Sequence, residues 1–244
     1  MSPLIVITLL IAFLCNAFGF VFSYFILQTD AFGRLRIQKR RYRKGTFRKR
    51  LPLILLNLSI LFVLVFVGLY FAEGFFDMEW QSWWSIAIQI SVFVLLDDVY
   101  FYFYHRALHN VPVLYSKIHK IHHRAFAPFP MEYIYVHPLE WMLGTLGIVL
   151  AAVSIVLVNG QISVHAFWIF SVIRNLHEVD IHSGLRSLFA HKIPLFAATE
   201  HHDFHHRKNT KGNYGSMFTF WDTVMGTSID MEEKPPKVKA ALLS

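Results

Sequence analysis

Long apolar stretches are the feature that most constrains how this chain folds. Three of them reach about 20 mainly apolar residues, the length at which a helix crosses a bilayer: Pro3 to Ile26, Leu51 to Ala72 and Trp84 to Tyr104. Trp141 to Val158 is just long enough, whereas Ile162 to Ile173 is short for a span and is either re-entrant or buried against its neighbours. The sequence therefore predicts an all-α integral membrane protein with four to five transmembrane or membrane-embedded helices.

The composition agrees with a membrane protein, because 55% of the 244 residues are apolar and only 16% are charged, against about 25% charged in soluble domains. Since the apolar stretches suffice for one bundle, we expect a single domain over residues 1–244. Within it we distinguish N-terminal spans and a basic loop (1–83), a histidine-rich region (97–227) and a tail (228–244).

Positive charge is concentrated in one loop. Ten of the 23 Lys and Arg residues lie between Arg34 and Arg50, without any Asp or Glu, whereas elsewhere 16 acidic residues outnumber the basic ones. Cations in a short loop between apolar segments set topology or meet anionic lipid headgroups, and we do not expect nucleic-acid binding. The positive-inside rule makes this loop cytoplasmic and returns the third span to the cytoplasm near His105. If Trp141 to Ile173 forms a hairpin, the segments from His105 to Glu140 and from Asn175 to Ser244 lie on that side.

Histidines form three clusters in these two segments: His105-Arg-Ala-Leu-His109, His119-Lys-Ile-His-His123, and His202-Asp-Phe-His-His206 with His201 just before it. On a helix these spacings place side chains on one face, about 5–6 Å apart, so each cluster can direct imidazoles at a common centre. Cys15 is the only cysteine, so metal ligands must be His or carboxylate. Eight or more imidazoles exceed the needs of one zinc ion and suit two first-row metals with open positions. Structural packing of solvated helices is the alternative.

Further motifs accompany the clusters in a fixed order: His137-Pro-Leu-Glu140, Asp180-Ile-His-Ser-Gly184, Asn213-Tyr-Gly215 and Trp221-Asp222. Together they resemble the fatty acid hydroxylase and sterol desaturase superfamily, most of all the 4-methylsterol oxidases and next the cholesterol side-chain hydroxylases. The resemblance covers about Asp97 to Thr227. Sterol-type members usually continue His-Ser-Gly with Tyr and an Asp/Asn-Phe-Pro stretch, whereas this chain has Leu185-Arg-Ser187, which weakens the sterol assignment.

The resemblance implies a cytosolic helical cap that holds two iron ions, with zinc possible in purified samples. The ligands that it implies are the histidines of the three clusters and one additional histidine: His105, His109, His119, His122, His123, His182, His202, His205 and His206.

A second set contains either further ligands or groups that hydrogen-bond to ligands: His177, Glu178, His201, His137, Asp98, Asp180 and Asp203. Metal-bound histidines usually donate their other N–H to a carboxylate or carbonyl, and Asp98 falls near one helical stripe with the first cluster. The alternative for these carboxylates is pairing with Arg106 or Arg124. His137 precedes a predicted span, so we expect it to have a structural or hydrogen-bonding role.

The resemblance also implies a function, hydroxylation of a C–H bond of a lipid of sterol or fatty-acyl type in lipid or sterol biosynthesis, with O2 and external electrons. A desaturase with the same metal centre is the nearest alternative. A histidine-rich metal transporter predicts ionisable residues within several spans, whereas here they cluster at span ends.

The partners follow from the same reading. The sequence lacks flavin, nicotinamide and iron–sulfur motifs, so a small cytochrome or ferredoxin with its reductase must supply the electrons. The lipid is expected to come from the bilayer past Phe189, Ile193, Leu195 and Phe196. We expect a multi-pass protein of the endoplasmic reticulum if it is eukaryotic, or of the inner membrane if it is bacterial.

Overall fold

The computed structural model describes residues 1–39, 42–187, 190–208 and 212–229. Four helical segments in it are long and apolar enough to cross a membrane: Pro3–Gln28, Thr46–Phe75, Trp83–Asn110 and Pro138–Asn159. They contain the four predicted stretches, and the expected all-α membrane architecture is confirmed. Arg40, Arg41, Phe189 and most of the predicted tail lie outside the described residues.

The helices follow one another along the whole chain. They are α1 (Pro3–Gln28), α2 (Thr46–Ala72), α3 (Trp83–Asn110), α4 (Pro112–Lys117), α5 (Pro138–Gly144), α6 (Leu146–Asn159), α7 (Val164–Ile181), α8 (Thr199–Lys208) and α9 (Phe220–Val224). Single 3-10 turns or short 3-10 helices lie at Gly33–Leu35, Glu73–Phe75, His119–Arg124, Pro130–Ile134 and Ala190–Lys192. Two-residue strands, β1 (Phe76–Asp77) and β2 (Ile162–Ser163), pair in parallel.

The stretch predicted as one span from Trp141 to Val158 is two helices, α5 and α6, which meet at Thr145. The last carbonyls of a helix lack intrahelical partners, and side chains of α3 supply partners for carbonyls of α5. Tyr104 donates its hydroxyl to the Glu140 carbonyl at 3.0 Å, and Tyr100 donates to the Leu143 carbonyl at 2.9 Å. These two hydrogen bonds hold α5 against α3.

Helix α7 continues beyond the apolar stretch that predicted it. Its first half buries Val164, Ala166 and Phe170, and its second half carries Arg174 and His177. It packs against α1 and α3, in agreement with the buried alternative of the sequence analysis. An apolar helix inside the bundle thus delivers polar side chains to the end where the histidines lie.

Residues 125–137 form a buried connection without regular α-helix, and side chains of the spans satisfy its backbone. Asn57 of α2 donates to the carbonyls of Ile134 and Val136, both at 2.9 Å, and Ser23 of α1 accepts from the Met131 N–H at 3.0 Å. Buried non-helical backbone in a membrane protein is tolerated only where protein groups replace water. These contacts hold the segment that follows the second histidine cluster.

The basic segment lies against the histidine clusters. Gln38 donates to the Phe126 carbonyl at 3.0 Å, and the Arg50 guanidinium donates to the Arg124 carbonyl at 2.8 Å. The backbone N–H of Ile37 donates to the Gly184 carbonyl at 3.0 Å. The cationic loop and the clusters therefore share one end of the helical bundle.

Candidate metal centre

Nine histidines converge in two neighbouring groups. Each group brings one ligand atom per residue to within 4.8 Å of all the others. We name them group A, which contains His105, His109, His119, His123 and His205, and group B, which contains His122, His182, His202 and His206. All nine are the histidines that the resemblance implied as ligands.

Four separate segments supply these imidazoles. The last two turns of α3 carry the first cluster, the 3-10 helix His119–Arg124 carries the second, and α8 carries the third. His182 immediately follows α7 and forms its C-cap. The second cluster thus lies on a 3-10 helix, although its spacing was interpreted as that of an α-helix.

The second and third clusters each divide between the two groups, which corrects the expectation of one centre per cluster. In α8, His202 and His206 join group B, whereas His205 joins group A. Side chains advance by about 100° per residue in an α-helix, so positions i and i+4 lie on one stripe and i+3 lies on the stripe beside it. The second cluster divides in the same way, with His122 in group B.

The Nε2 atoms of group A lie very close together. His109, His119 and His123 have mutual Nε2–Nε2 distances of 2.8, 3.0 and 3.0 Å. In group B the Nε2 atom of His202 is 3.0 Å from those of His182 and His206. Mutual contacts among neutral imidazoles cannot all be hydrogen bonds, because a neutral ring has only one N–H. Lone pairs directed at a shared cation account for them.

Backbone carbonyls and a carboxylate accept hydrogen bonds from the outer nitrogens of three histidines in group A. His105 donates its Nδ1–H to the Tyr214 carbonyl at 2.8 Å, and His205 donates to the Gly212 carbonyl at 2.7 Å. His119 donates to Glu140 Oε1 at 2.7 Å. These bonds set the tautomer that leaves Nε2 free to bind a metal. The Nε2 atoms of His105 and His205 are buried without a hydrogen-bond partner in the described part of the chain.

Burial disfavours the charged form of most of these imidazoles. It lowers the pKa of His122, His202, His205 and His206 well below 6.5, and the charge that neighbouring imidazoles would carry lowers it further. Burial also lowers the pKa of His182, against the opposing effect of Glu178. Neutral imidazole is the form that binds metals, so the donor set, its orphaned nitrogens and its charge state all fit two metal ions.

Three residues of the second predicted set contact the groups or the polypeptide that supports them. The Glu178 carbonyl accepts from His182 Nδ1 at 2.9 Å, and the Glu178 carboxylate lies 3.8 Å from the same nitrogen. His201 donates to Asp222 Oδ2 at 3.1 Å. His177 lies outside both groups and donates to the Ser216 carbonyl at 2.9 Å.

The other members of that set have different contacts. Asp98 Oδ1 accepts from the backbone N–H groups of Met217 and Phe218, at 2.9 and 3.2 Å. Asp203 accepts from Gln38 at 3.0 Å, and burial raises its pKa to about 6. Asp180 is exposed, and His137 accepts from the Leu139 N–H as the N-cap of α5. Their expected role beside a ligand remains a prediction.

Sequence reasoning missed two carboxylates. Glu140 was quoted only as part of a motif with His137, yet it is Glu140 that contacts His119. Asp222 accepts from the Tyr214 and Gly215 N–H groups, both at 2.8 Å, and so fixes the loop whose carbonyl binds His105. Burial alone would raise the pKa of Asp222, but hydrogen bonds from His201 and Gly215 hold it below its ordinary value. Both carboxylates belong to motifs quoted from the sequence, but the spacing of residues did not reveal which groups they contact.

A cavity of about 60 Å³ touches both groups. His119 of group A and His182 of group B are among the residues that line it. None of Ile193, Leu195 and Phe196, which were expected on the lipid approach, is among its lining residues. Leu195 instead lines a separate apolar groove of about 580 Å³.

A sequence profile described as fatty acid hydroxylase matches residues 90–227, more than half of the chain. The chain belongs to the fatty acid hydroxylase family. The matched region contains groups A and B together with Glu140 and Asp222, whereas α1 and α2 precede it. The family resemblance read from the motifs is thus confirmed.

Several characterised members of the fatty acid hydroxylase family are similar to this chain. Methylsterol monooxygenase 1 of Rattus norvegicus is 34% identical, and the match covers 94% of this chain and 77% of that protein. A methylsterol monooxygenase of Aspergillus fumigatus is 38% identical, with 64% of this chain and 53% of the relative covered. A very-long-chain aldehyde decarbonylase of Oryza sativa subsp. indica is 36% identical, with 61% and 54% covered. The chain thus spans about half the length of two of these relatives, and no solved structure matches it.

Proposed function

We propose that this chain is a membrane-bound oxygenase that binds two iron ions in groups A and B and hydroxylates a C–H bond of a sterol or other lipid. The observation that carries the proposal is the pair of adjacent groups of imidazoles, eight of the nine buried, beside one cavity. The names of the methylsterol monooxygenase relatives support oxidation of a lipid. Bound iron supplies what side chains lack, the activation of O2 with external electrons for attack on an unactivated carbon.

The residues of the chain have distinct tasks in such a reaction. The nine imidazoles would hold the metals, and the Tyr214 and Gly212 carbonyls and Glu140 would keep three of them in the right tautomer. The surrounding burial excludes water and with it competing reactions. The overall reaction takes up O2, two electrons and two protons and returns an alcohol and water.

The spacing of three nitrogens in group A fits coordination at right angles better than a tetrahedron. With metal–nitrogen distances of about 2.0–2.1 Å, ligand atoms are about 2.9 Å apart at right angles and about 3.4 Å apart in a tetrahedron. The Nε2–Nε2 distances of 2.8 to 3.0 Å among His109, His119 and His123 match the right-angled arrangement. This arrangement suits a first-row metal that retains open positions for O2.

Electrons would arrive from a protein that docks beside His123. Of the nine histidines it is the only one that is not buried. Residues 99–131 contain four basic residues and no acidic ones, and Lys117, Lys120 and Arg124 among them are exposed. An acidic cytochrome or ferredoxin complements this surface and is steered to it by charge. The adjoining basic loop assigns this face to the cytoplasm by the positive-inside rule.

The test combines metal analysis with product analysis. We expect detergent-purified protein made with isotopic iron to contain about two irons, coupled in Mössbauer spectra, and to hydroxylate a methylsterol when it receives electrons and O2. The His122→Ala/His205→Ala double variant, which removes one ligand from each group, should lose both properties. His137→Asn, outside both groups, is the matched control and should retain them.

Each result has a defined meaning. One tightly held zinc, or iron that is retained in the double variant, would refute the two-iron centre. An alkene in place of an alcohol would replace hydroxylation by desaturation on the same metal centre. Lipids that remain unchanged by the iron-loaded protein in the presence of electrons and O2 would contradict the oxygenase itself.

A further inference from the structure

The apolar groove of about 580 Å³ is separate from the cavity beside the histidine groups. Three of the residues that line it belong to the span α3, and the others lie in segments 193–196 and 218–221, which precede and follow α8. We name these two segments the cap edge. The lining residues are all apolar or aromatic: Leu95, Leu96, Val99, Pro194, Leu195, Phe218, Phe220 and Trp221.

The position of the groove along α3 corresponds to membrane depth. Trp83 and Trp84 begin this helix, are 68% and 81% exposed, and mark one membrane boundary, where tryptophan is enriched. A hydrocarbon core about 30 Å thick takes about 20 helical residues and therefore ends near His105. Leu95 and Val99 lie about 16 and 22 Å from Trp84 along the axis. The groove is thus about 8–14 Å inside the boundary on the histidine side.

The second span gives the same boundary. Strand β1 follows this span and pairs with β2, which contacts α3, so the end of α2 lies at the tryptophan side. Counted back from Ala72, about 20 residues lead to Pro52 at the opposite boundary. Arg50, just beyond it, donates to the Arg124 carbonyl at 2.8 Å. Both spans therefore place the boundary at the level of the histidine clusters.

The backbone of the cap edge is hydrogen-bonded to protein groups, as membrane depth requires of non-helical segments. The Leu195 carbonyl accepts from the Thr219 N–H at 2.8 Å. The Ala197 N–H donates to the Met217 carbonyl, also at 2.8 Å. Asp98 Oδ1 on α3 accepts from the Met217 N–H at 2.9 Å. The span and the two paired segments thus replace water as hydrogen-bonding partners.

The side chains of the cap edge and of the helix that follows it are apolar and exposed. Ile193, Leu195 and Phe220 are 50%, 52% and 40% exposed, and Val224 of α9 is 60% exposed. Leu195 also has a φ of 64°, a left-handed conformation that is strained for a residue with a Cβ atom. Large exposed side chains that lie together mark a surface that contacts protein or membrane.

We propose that the cap edge is embedded in the leaflet on the histidine side and that the groove holds one acyl chain of a membrane phospholipid. The groove is continuous with the lipid-facing surface of α3, because Leu95 is 55% exposed on that span and also lines the groove. Acyl chains are the component that a leaflet offers at this depth. Embedding by about 10 Å is also the depth that interfacial helices reach. The proposal requires neither bound metal nor the proposed oxygenase reaction.

The accessibility of a spin label tests the embedding. Full-length Leu195→Cys protein in a Cys15→Ala background is labelled and reconstituted in phosphatidylcholine nanodiscs. EPR then compares its collisions with O2, which concentrates in hydrocarbon, and with a water-soluble nickel chelate. We expect mainly O2 collisions, as for a label at Phe13, which is 57% exposed in the middle of α1. A label at Val113, 66% exposed on α4, is the matched control and should collide mainly with nickel.

Quenching of Trp221 tests the acyl chain in the groove. The nanodiscs contain phosphatidylcholine with bromine atoms in the middle of one chain, and the Trp221 signal is the difference between the wild type and Trp221→Phe. We expect bromine to remove most of this signal. Val99→Phe fills the groove and should restore it, whereas Ile88→Phe, on an exposed position of α3 outside the groove, should not. If Val99→Phe does not fold, Leu195→Phe fills the groove from the cap edge and should protect Trp221 in the same way.

Other results would overturn the proposal. Equal nickel collisions for the labels at Leu195 and Val113 would mean that the cap edge lies in water. Quenching that is the same in the wild type and Val99→Phe would mean that no chain enters the groove. Recovery of the Trp221 signal on addition of cholesterol, beyond the dilution of brominated lipid, would make the occupant a sterol. Magnetic coupling between two labels at Leu195 would make it a second copy of this chain.

Discussion

Replacement of Glu140 by Gln should weaken one metal site of the two. The Glu140 carboxylate accepts from His119 Nδ1 at 2.7 Å, and both side chains are less than a tenth exposed. A carboxylate in this position makes the imidazole a stronger metal ligand and fixes its orientation. Gln keeps the shape of the side chain and its acceptor oxygen but removes the charge, so the site should persist with reduced affinity.

The expected loss is about 10- to 100-fold in metal affinity, the usual effect of losing such a partner. Because His119 belongs to group A, we expect only that metal to be affected. Protein with two bound metals is dialysed against increasing chelator concentrations, and the metal that remains is measured by mass spectrometry. The wild-type protein and Glu140→Gln should differ in the release of one equivalent, while the other follows the same curve in both.

His137→Asn provides the matched control. His137 belongs to the same motif, but it accepts the Leu139 N–H as the N-cap of α5, and Asn can make the same contact. It should therefore release both metals as the wild-type protein does. Equal weakening of both metals in Glu140→Gln, or unchanged release of both, would refute the assignment of this carboxylate to group A.

Three further predictions concern the two histidine groups, the 213–215 loop and the approach of α6 to α3. His205→Ala and His206→Ala should each lose about one of two metals, because these adjacent residues serve different groups, and the metal content of each purified variant checks this. Asp222→Asn should lower the free energy of unfolding by about 2–3 kcal/mol in thermal or denaturant melts, because it leaves buried N–H groups with a poorer partner. Gly147→Ala should cost about 1–3 kcal/mol, because its Cβ would lie 2.9 Å from an α3 Cα atom. Gly144→Ala, with its nearest neighbour at 3.8 Å, should be tolerated.

Each of these predictions has an outcome that contradicts it. Loss of both metals from either single histidine variant would mean that the groups do not bind independently. An Asp222→Asn protein as stable as the wild type would remove the argument that this carboxylate fixes the 213–215 loop. Equal stability of the Gly144→Ala and Gly147→Ala variants would show that the close approach of α6 to α3 can relax.

The spans and the eight clustered histidines were predictable because each depends on local sequence, whereas His182 was implied only by the family resemblance. Apolar length alone predicts a span, and the repeated spacing of histidines predicts a shared face. The position of the basic loop beside the clusters followed from charge, since Gln38 and Arg50 do contact the segment that follows the second cluster.

The division of the clusters was not predictable, because it depends on how four segments pack. The spacing of His202, His205 and His206 defines two neighbouring stripes on α8, but only the positions of α3 and α7 decide which stripe meets which partners. The break at Thr145 was hidden for a similar reason. Its apolar sequence continues through the break, and the hydroxyls of two tyrosines on another helix stabilise the exposed carbonyls.

The two groups differ in their surroundings, and this difference gives them different roles in the proposed reaction. Group A has five imidazoles, including the partly exposed His123, so it is the group nearer to an electron donor in solution. Group B has four imidazoles, all buried, and the Glu178 carbonyl accepts from His182 Nδ1 at 2.9 Å. Fewer histidine ligands leave more open positions for O2. On the proposed function, electrons would therefore arrive first at group A, whereas the cavity borders both groups.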